Sequence, residues 1–251
     1  MALFKNPYQS HEHSLEVLDL LYGYDSYLDN LKTIADMGCG VGLDSQWFAT
    51  LMTRDDPPEP RNYKVFAVDK DLRKFDTTIL EQCPNIVTIE KNFETRCIGT
   101  QVDLIWCHDA FQYSRNPLGT LAAFKETINE NGMLILSIPQ TTWLDHDRLI
   151  VENHTGQYFS YNMLNLTYML AVSGFDCKDA YFYRKLNSPW LYAAVYASQH
   201  EPLGVDASWY DLAERELVSD SLIASVEKYG YAKMQDIVVS WLDKNYYVMT
   251  N

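Results

Sequence analysis

Asp36 stands two residues before the first of three closely spaced glycines. The glycines follow at every second residue, as Gly38, Gly40 and Gly42. Such spacing allows a tight turn whose backbone can approach a ligand closely. The Asp36 carboxylate would repel an anionic pyrophosphate and would attract an ammonium or sulfonium group. These residues therefore favour a binding site for a nucleotide-type ligand that carries positive charge.

Two predicted elements hold this turn. A short apolar run over residues 31–35, broken by Lys32 and Thr33, predicts a strand before it. Helical spacing over residues 43–52 predicts a helix after it. A strand, a glycine-rich turn and a helix in this order form the nucleotide site of many α/β folds. The fingerprint of nicotinamide and flavin proteins, G-x-G-x-x-G, requires a third glycine where this chain has Leu43. That departure counts against a nicotinamide cofactor.

An acidic residue followed by three alternate glycines resembles the first motif of the Rossmann-like methyltransferases that use S-adenosylmethionine (SAM). SAM carries both an ammonium and a sulfonium group. The resemblance implies that SAM, and its demethylated product S-adenosylhomocysteine (SAH), bind at this turn. The cofactor-binding residues implied there are Asp36, Gly38, Cys39, Gly40 and Gly42.

The second predicted strand also ends at an acidic residue. The apolar run over residues 65–68 predicts a strand buried on both faces, and Asp69 follows it. In dinucleotide-binding folds an acidic residue here accepts hydrogen bonds from the ribose hydroxyls. The resemblance implies this role for Asp69, with Lys70 beside it at the cofactor. An acidic residue at this position could instead only open the next helix, as Asp71 could.

Candidates for contact with the adenine ring follow the third predicted strand, over residues 86–90. Asn92 and Phe93 stand where the methyltransferase family usually has Asp-Ala, whose polar side chain contacts the adenine amino group. Asn92 can still offer its carbonyl oxygen, and Phe93 can stack on the ring or pack against it. The resemblance therefore implies that both residues bind the cofactor.

The fourth predicted strand, over residues 102–107, leads into a turn that resembles the family's fourth motif, x-x-D/E-x-L-x-H. The resemblance implies that Cys107 and His108 line the methionine part of the cofactor. It places Tyr113 where the family often has a histidine near the methyl acceptor. For His108, a polar residue at a strand end is an equally good interpretation. A helix is predicted to begin at Asn116 and Pro117, which are typical cap residues.

The remaining elements complete an α/β fold. We predict a fifth strand over 133–139 after a turn at 129–132, a helix over 160–171, and an antiparallel last strand pair over 179–183 and 191–197. The fold class is thus a Rossmann-like, mostly parallel seven-stranded sheet with helices on both faces. A helical N-terminal cap (1–30) and a helical C-terminal extension (199–251) flank the core (31–198).

The methyl acceptor is placed at the loop after the fifth strand. Loops at the carboxyl ends of strands in open α/β sheets are where ligands bind. The predicted acceptor contacts are Tyr8, Tyr113, Gln140, Trp143 and Tyr158. An oxygen acceptor would also benefit from a base, and the predicted catalytic residues are Tyr113, His146 and His154. A neutral amine acceptor would need no base.

The composition of the chain limits the classes of partner that it can bind. The net charge of −14 makes nucleic acid and anionic membranes poor partners. No apolar run approaches the roughly twenty residues that span a bilayer, and residues 1–10 lack the pattern of a signal peptide. Five scattered cysteines indicate free thiols in a reducing compartment, so we predict a cytoplasmic protein. We identify no metal site.

The sequence therefore predicts a SAM-dependent methyltransferase that acts on a small-molecule acceptor by in-line methyl transfer. One alternative is a catalytically inactive SAM-binding protein that acts through a protein partner, for which its C-terminal extension would be used. Another is an oxidoreductase with a nicotinamide cofactor, against which Asp36 and Leu43 both count. The C-terminal extension could also form an oligomer contact.

Overall fold

A computed structural model of the chain describes residues 25–139, 159, 161, 163–183, 190–204 and 206–229. Several predicted site residues lie outside this part of the chain: Tyr8, Gln140, Trp143, His146, His154 and Tyr158. The N-terminal cap up to residue 24 lies outside it as well. The roles predicted for these residues stay predictions.

Seven strands form one sheet in the order β3-β2-β1-β4-β5-β7-β6. They are β1 (Thr33–Met37), β2 (Lys64–Asp69), β3 (Ile86–Glu90), β4 (Val102–His108), β5 (Ile128–Pro139), β6 (Phe175–Tyr183) and β7 (Trp190–Ala197). The first five strands pair in parallel, and β7 pairs antiparallel with both β5 and β6. The prediction of a Rossmann-like, mostly parallel sheet with an antiparallel last pair is therefore confirmed.

Helices connect the strands. They are α1 (Asp25–Asn30), α2 (Leu43–Ala49), α3 (Thr78–Gln82), α4 (Pro117–Thr127), α5 (Met163–Val172), α6 (Trp209–Glu214) and α7 (Asp220–Tyr229). Short 3-10 helices span Leu72–Lys74 and Phe111–Tyr113. The predicted start of α4 is confirmed, because the Asn116 side chain accepts a hydrogen bond from the Gly119 amide at 3.1 Å. No helix in the described part of the chain is long and apolar enough to cross a membrane.

The central strands are apolar because both faces of the sheet are covered. Val65, Ala67 and Val68 of β2 are fully buried. On one face, the rings of Phe48 in α2 and Trp106 in β4 meet edge to face with centroids 5.5 Å apart. All five cysteines are buried and free of disulfides. The core therefore fixes the strand ends at which the candidate site lies.

Strand β5 differs from its prediction. It begins at Ile128, five residues earlier, and continues directly from α4. Between the pairs Val102–Ile128 and Leu104–Met133, β4 advances two residues and β5 advances five, so the predicted turn is an irregularity within the strand. Asp103 anchors it, since its carboxylate accepts a hydrogen bond from the Asn129 side chain at 2.6 Å.

The C-terminal extension packs on the sheet through its apolar side chains. Leu212 and Leu222 are fully buried, and the Cys177 amide of β6 donates a hydrogen bond to the Leu217 carbonyl at 3.0 Å. Residues 230–251 of this extension lie outside the described residues. The domain boundaries predicted at residues 30 and 198 stay predictions.

Candidate functional site

A cavity of about 620 Å³ opens at the carboxyl ends of β1, β2, β3 and β4. Pockets for small ligands typically measure about 300–1,000 Å³. Strands β2 and β4 lie on opposite sides of β1, so the strand order reverses direction there, and the cavity lies at this point. Open α/β sheets bind ligands at such a reversal. Seven predicted site residues line it together: Gly38, Gly40, Asp69, Lys70, Asn92, Phe93 and Tyr113.

The glycine turn forms one wall of the cavity. Gly38, Gly40 and Gly42 have φ angles of 83°, 53° and 91°, which side-chain-bearing residues rarely adopt. The amides of Gly38 and Cys39 donate hydrogen bonds to the Val68 carbonyl at 2.8 and 3.0 Å. A Cβ placed on Gly40 would have no atom within 4 Å, so this glycine borders open space. The turn is thus held rigidly against β2 with one open position.

Asp69 joins the ends of β1 and β2 at the cavity wall. One carboxylate oxygen, Oδ2, accepts a hydrogen bond from the Gly40 amide at 3.1 Å, and Oδ1 accepts one from the Asp71 amide at 3.1 Å. Each carboxylate oxygen has a second lone pair for a further donor. Asp69 is therefore preoriented to accept hydrogen bonds from a ligand that lies over the glycine turn.

Asn92 and Phe93 close the β3 side of the cavity. The Asn92 side chain accepts a hydrogen bond from the Glu94 amide at 3.1 Å, which makes a tight turn. The Phe93 ring packs 6.0 Å from the ring of Phe124. Across the cavity, the Glu94 carboxylate accepts a hydrogen bond from the Arg115 amide at 2.6 Å. These contacts shape an aromatic and polar recess, and contact with a cofactor stays a prediction.

Asp36 makes a buried contact with helix α2. Its side chain is only 2% exposed, does not line the cavity, and accepts a hydrogen bond from the Ser45 hydroxyl at 2.5 Å. Burial raises the pKa of Asp36 above the ordinary range, and the nearby Asp44 carboxylate raises it further. The raised pKa favours the neutral acid, and contact between Asp36 and a cofactor stays a prediction.

Replacing Asp36 by asparagine should change how stability depends on pH. The pKa of Asp36 is raised on folding. The contribution of this carboxyl group to the free energy of unfolding is therefore fully present below its pKa in the unfolded chain, near 3.9, and is lost as pH rises through its pKa in the folded protein. Asparagine does not ionise, so the free energy of unfolding of Asp36→Asn relative to wild type should increase from pH 5 to pH 8. Urea unfolding at both pH values measures this. Parallel pH dependences would contradict it, and Asp55→Asn, at an exposed aspartate, is the control.

Four further predicted cofactor residues lie outside the cavity wall. His108 is buried on the α2 face of the sheet, and its Nδ1 lies 3.1 Å from Oδ2 of Asp44. The same oxygen accepts a hydrogen bond from the Trp106 indole at 3.0 Å. Cys107, one residue before His108 in the strand, is fully buried on the other face. The other two, Cys39 and Gly42, are also buried.

The cavity wall includes residues that the sequence analysis missed. They are Asp71, Lys74, Glu94, Asp109, Ala110 and Arg115. A signal existed for Asp109, which stands at the acidic position of the fourth motif. Its backbone has a φ of 50°, and its amide donates a hydrogen bond to the Ser137 carbonyl at 2.9 Å. The other missed residues lie in loops or, for Lys74, in a short 3-10 helix, and no motif marks them.

Neither the family models nor the curated proteins compared with the chain match it. Solved structures do match its fold. The magnesium protoporphyrin IX methyltransferase ChlM from Synechocystis PCC 6803, solved with bound SAH, has a TM-score of 0.56 at 16% identity, covering 75% of this chain and 83% of that one. The CurJ carbon methyltransferase has a TM-score of 0.53 at 16% identity and covers 68% of this chain.

This chain spans half of the CurJ chain. The DszA carbon methyltransferase has a TM-score of 0.54 at 15% identity, covering 78% of this chain and 57% of that one. At these identities the likeness concerns the fold. The chain has the Rossmann-like fold of the SAM-dependent methyltransferases.

Proposed function

We propose that this protein is a SAM-dependent methyltransferase that acts on a small-molecule acceptor by in-line methyl transfer. The observation that carries the proposal is the meeting of Gly40 and Asp69 at a cavity between β1, β2 and β4. An open glycine position beside a preoriented carboxylate fits a nucleoside, because the backbone can approach closely and the carboxylate can accept from ribose hydroxyls. The fold shared with methyltransferases supports the same cofactor.

The chain's residues would hold the cofactor along the strand ends. Asp69 would accept hydrogen bonds from the ribose, with Gly38 and Gly40 beneath it. Asn92 and Phe93 would contact the adenine ring, since they form the recess at the end of β3. Gly42 and Cys39 would act through the shape of the turn. Lys70 lies on the rim, where it is exposed.

SAM supplies a methyl group that is already activated by its positively charged sulfur. The protein then has to align the acceptor and exclude water. Tyr113 lines the cavity with 37% of its surface exposed, and there it could orient an acceptor through its hydroxyl. His146 and His154 remain the proposed bases for an oxygen acceptor, with Gln140, Trp143, Tyr158 and Tyr8 as proposed acceptor contacts.

A small acceptor is supported by the charge of the protein and by the size of the cavity. The net charge of −14 disfavours the phosphate backbone of nucleic acids. The cavity of about 620 Å³ is the size of a small-ligand pocket. Five buried free thiols suit a reducing compartment such as the cytoplasm.

Titration calorimetry of the protein with SAM and SAH tests the cofactor. We expect dissociation constants in the micromolar range for both ligands, and no binding of NADH under the same conditions. Binding of NADH without binding of SAM or SAH would contradict the proposal. Transfer of a labelled methyl group from SAM to a panel of metabolites then tests catalysis. Tight SAM binding without transfer to any metabolite would favour a non-catalytic SAM-binding protein.

A further inference from the structure

The recess at the end of β3 carries a carboxylate that no sequence motif marks. Glu94 lines the cavity together with Asn92 and Phe93, two residues after the position at which the family has its polar residue. We infer that Glu94, held in place by Asn92, accepts a hydrogen bond from the amino group of the bound base and so selects adenine at this site. The inference rests on the proposed function and deepens it, because it names the residue that distinguishes the base of the cofactor.

Asn92 uses both ends of its side-chain amide within its own turn. Its Oδ1 accepts a hydrogen bond from the Glu94 amide at 3.1 Å, and its Nδ2 donates one to Oε2 of Glu94 at 3.3 Å. The Thr95 hydroxyl donates to the Asn92 carbonyl at 3.3 Å and closes the same turn. Asn92 is exposed, whereas Glu94 is half-buried. The Asn92 side chain therefore positions Glu94, and of the two side chains the Glu94 carboxylate is the more sheltered from water.

The Glu94 carboxylate reaches across the cavity. Glu94 follows β3, yet its Oε1 accepts a hydrogen bond at 2.6 Å from the amide of Arg115, which follows β4. Strands β2 and β1 separate β3 from β4 in the sheet. The carboxylate is thus held from two sides, and each of its oxygens keeps a second lone pair for a further donor. It is preoriented to accept a hydrogen bond from a ligand that lies in the cavity.

Phe93 and Glu94 present two complementary surfaces to a flat base. The Phe93 ring is half-buried and packs against Phe124, so it offers an aromatic face at the end of β3. The next residue offers a carboxylate, which accepts hydrogen bonds and, when ionised, donates none. The amino group of adenine is a donor and matches this acceptor. A purine without that amino group would shield the carboxylate from water and give it no hydrogen bond in return.

An SAH analogue with purine in place of adenine tests the inference, because it lacks only the amino group. Dissociation constants measured by calorimetry for both ligands, with wild type and Glu94→Ala, form a double-mutant cycle. Wild type should bind SAH about tenfold or more tightly than the analogue, as for loss of a hydrogen bond to a charged group. In Glu94→Ala the two dissociation constants should lie within about twofold of each other. Glu94→Gln keeps an acceptor oxygen and should show an intermediate preference.

The outcomes separate recognition of the base from support of the turn. A purely structural role for Glu94 would weaken both ligands alike and keep the preference of wild type, which would overturn the inference. Equal binding of SAH and the analogue by wild type would also overturn it and would leave the proposed function standing. If wild type binds neither ligand, the proposed function itself fails. Should the alanine variant unfold, an undiminished preference in Glu94→Gln would contradict the inference.

A substitution at the neighbouring residue completes the test. In Asn92→Ser the hydroxyl can still accept a hydrogen bond within the turn, so both ligands should weaken by similar factors and the preference for SAH should remain. Loss of the preference in Asn92→Ser, with its retention in Glu94→Ala, would assign the amino group to Asn92 and overturn the inference. Glu59→Gln, at an exposed loop residue, controls for the change in net charge, and thermal unfolding checks that each variant folds.

Discussion

Replacing Asp69 by alanine should weaken the binding of SAM and SAH by about a hundredfold, because hydrogen bonds from a ligand to a carboxylate are among the stronger polar contacts. The Asp69 carboxylate also accepts the hydrogen bond from the Gly40 amide, so the alanine variant loses this link between β2 and the glycine turn as well. Calorimetry with both ligands measures the loss. Unchanged dissociation constants would exclude Asp69 from the cofactor site.

Two controls separate ligand contact from damage to the turn. Asp69→Asn keeps an acceptor oxygen for the Gly40 amide and should fold as wild type does. An SAH analogue without the ribose 2′-hydroxyl should lose less affinity than SAH does when Asp69 is replaced by alanine, because it makes fewer hydrogen bonds to the carboxylate. Equal losses for SAH and the analogue would mean that Asp69 supports the turn and does not contact that hydroxyl.

Gly38→Ala should lower the free energy of unfolding by about 2–4 kcal/mol, since it combines left-handed backbone strain with overpacking. Gly38 has a φ of 83°, and a Cβ there would overlap the Cβ of Ala110. Gly42→Ala should have a similar effect, because its Cβ would stand 2.5 Å from the Phe75 ring. Urea unfolding with linear extrapolation measures both variants.

Gly40→Ala is the matched variant in the same turn. Its φ is 53°, but a Cβ there would meet no atom within 4 Å, so the cost should be about 1–2 kcal/mol of backbone strain alone. The added methyl group would enter the cavity and weaken SAM binding. Gly99→Ala, where a Cβ also meets no atom within 4 Å, should leave both stability and binding near wild type. Equal destabilisation of Gly38→Ala and Gly40→Ala would refute the packing argument.

The sheet could be predicted because its strands are mostly short, largely apolar segments separated by polar turns. The bounds predicted for β3 match the structure, since residues 86–90 are flanked by polar residues on both sides. The start of β5 could not be predicted. It depends on Asp103, whose carboxylate accepts hydrogen bonds from Asn129 and from the amides of Lys32 and Thr33, and those partners are distant in sequence.

The candidate site shows the same limit. Gly40, Asp69 and Asn92 were predictable because residues at the carboxyl ends of parallel strands meet at one edge of the sheet. The burial of Asp36 was not predictable, because it depends on the Ser45 hydroxyl and on the nearby Asp44 carboxylate, both of which α2 supplies. A motif identifies a residue type at a strand end, whereas its ionisation depends on every neighbour that the fold brings to it.

Strand β7 is the last strand in the part of the sequence that the structure describes, yet it lies between β5 and β6 in space. During synthesis on the ribosome, one backbone edge of β5 therefore stays unpaired until β7 has been made. The side chains of Leu134, Leu136 and Ile138, which are buried in the folded protein, make this unpaired strand apolar. Open apolar edges are templates for aggregation. A nascent chain of this protein is consequently prone to aggregation in the interval between the synthesis of β5 and that of β7.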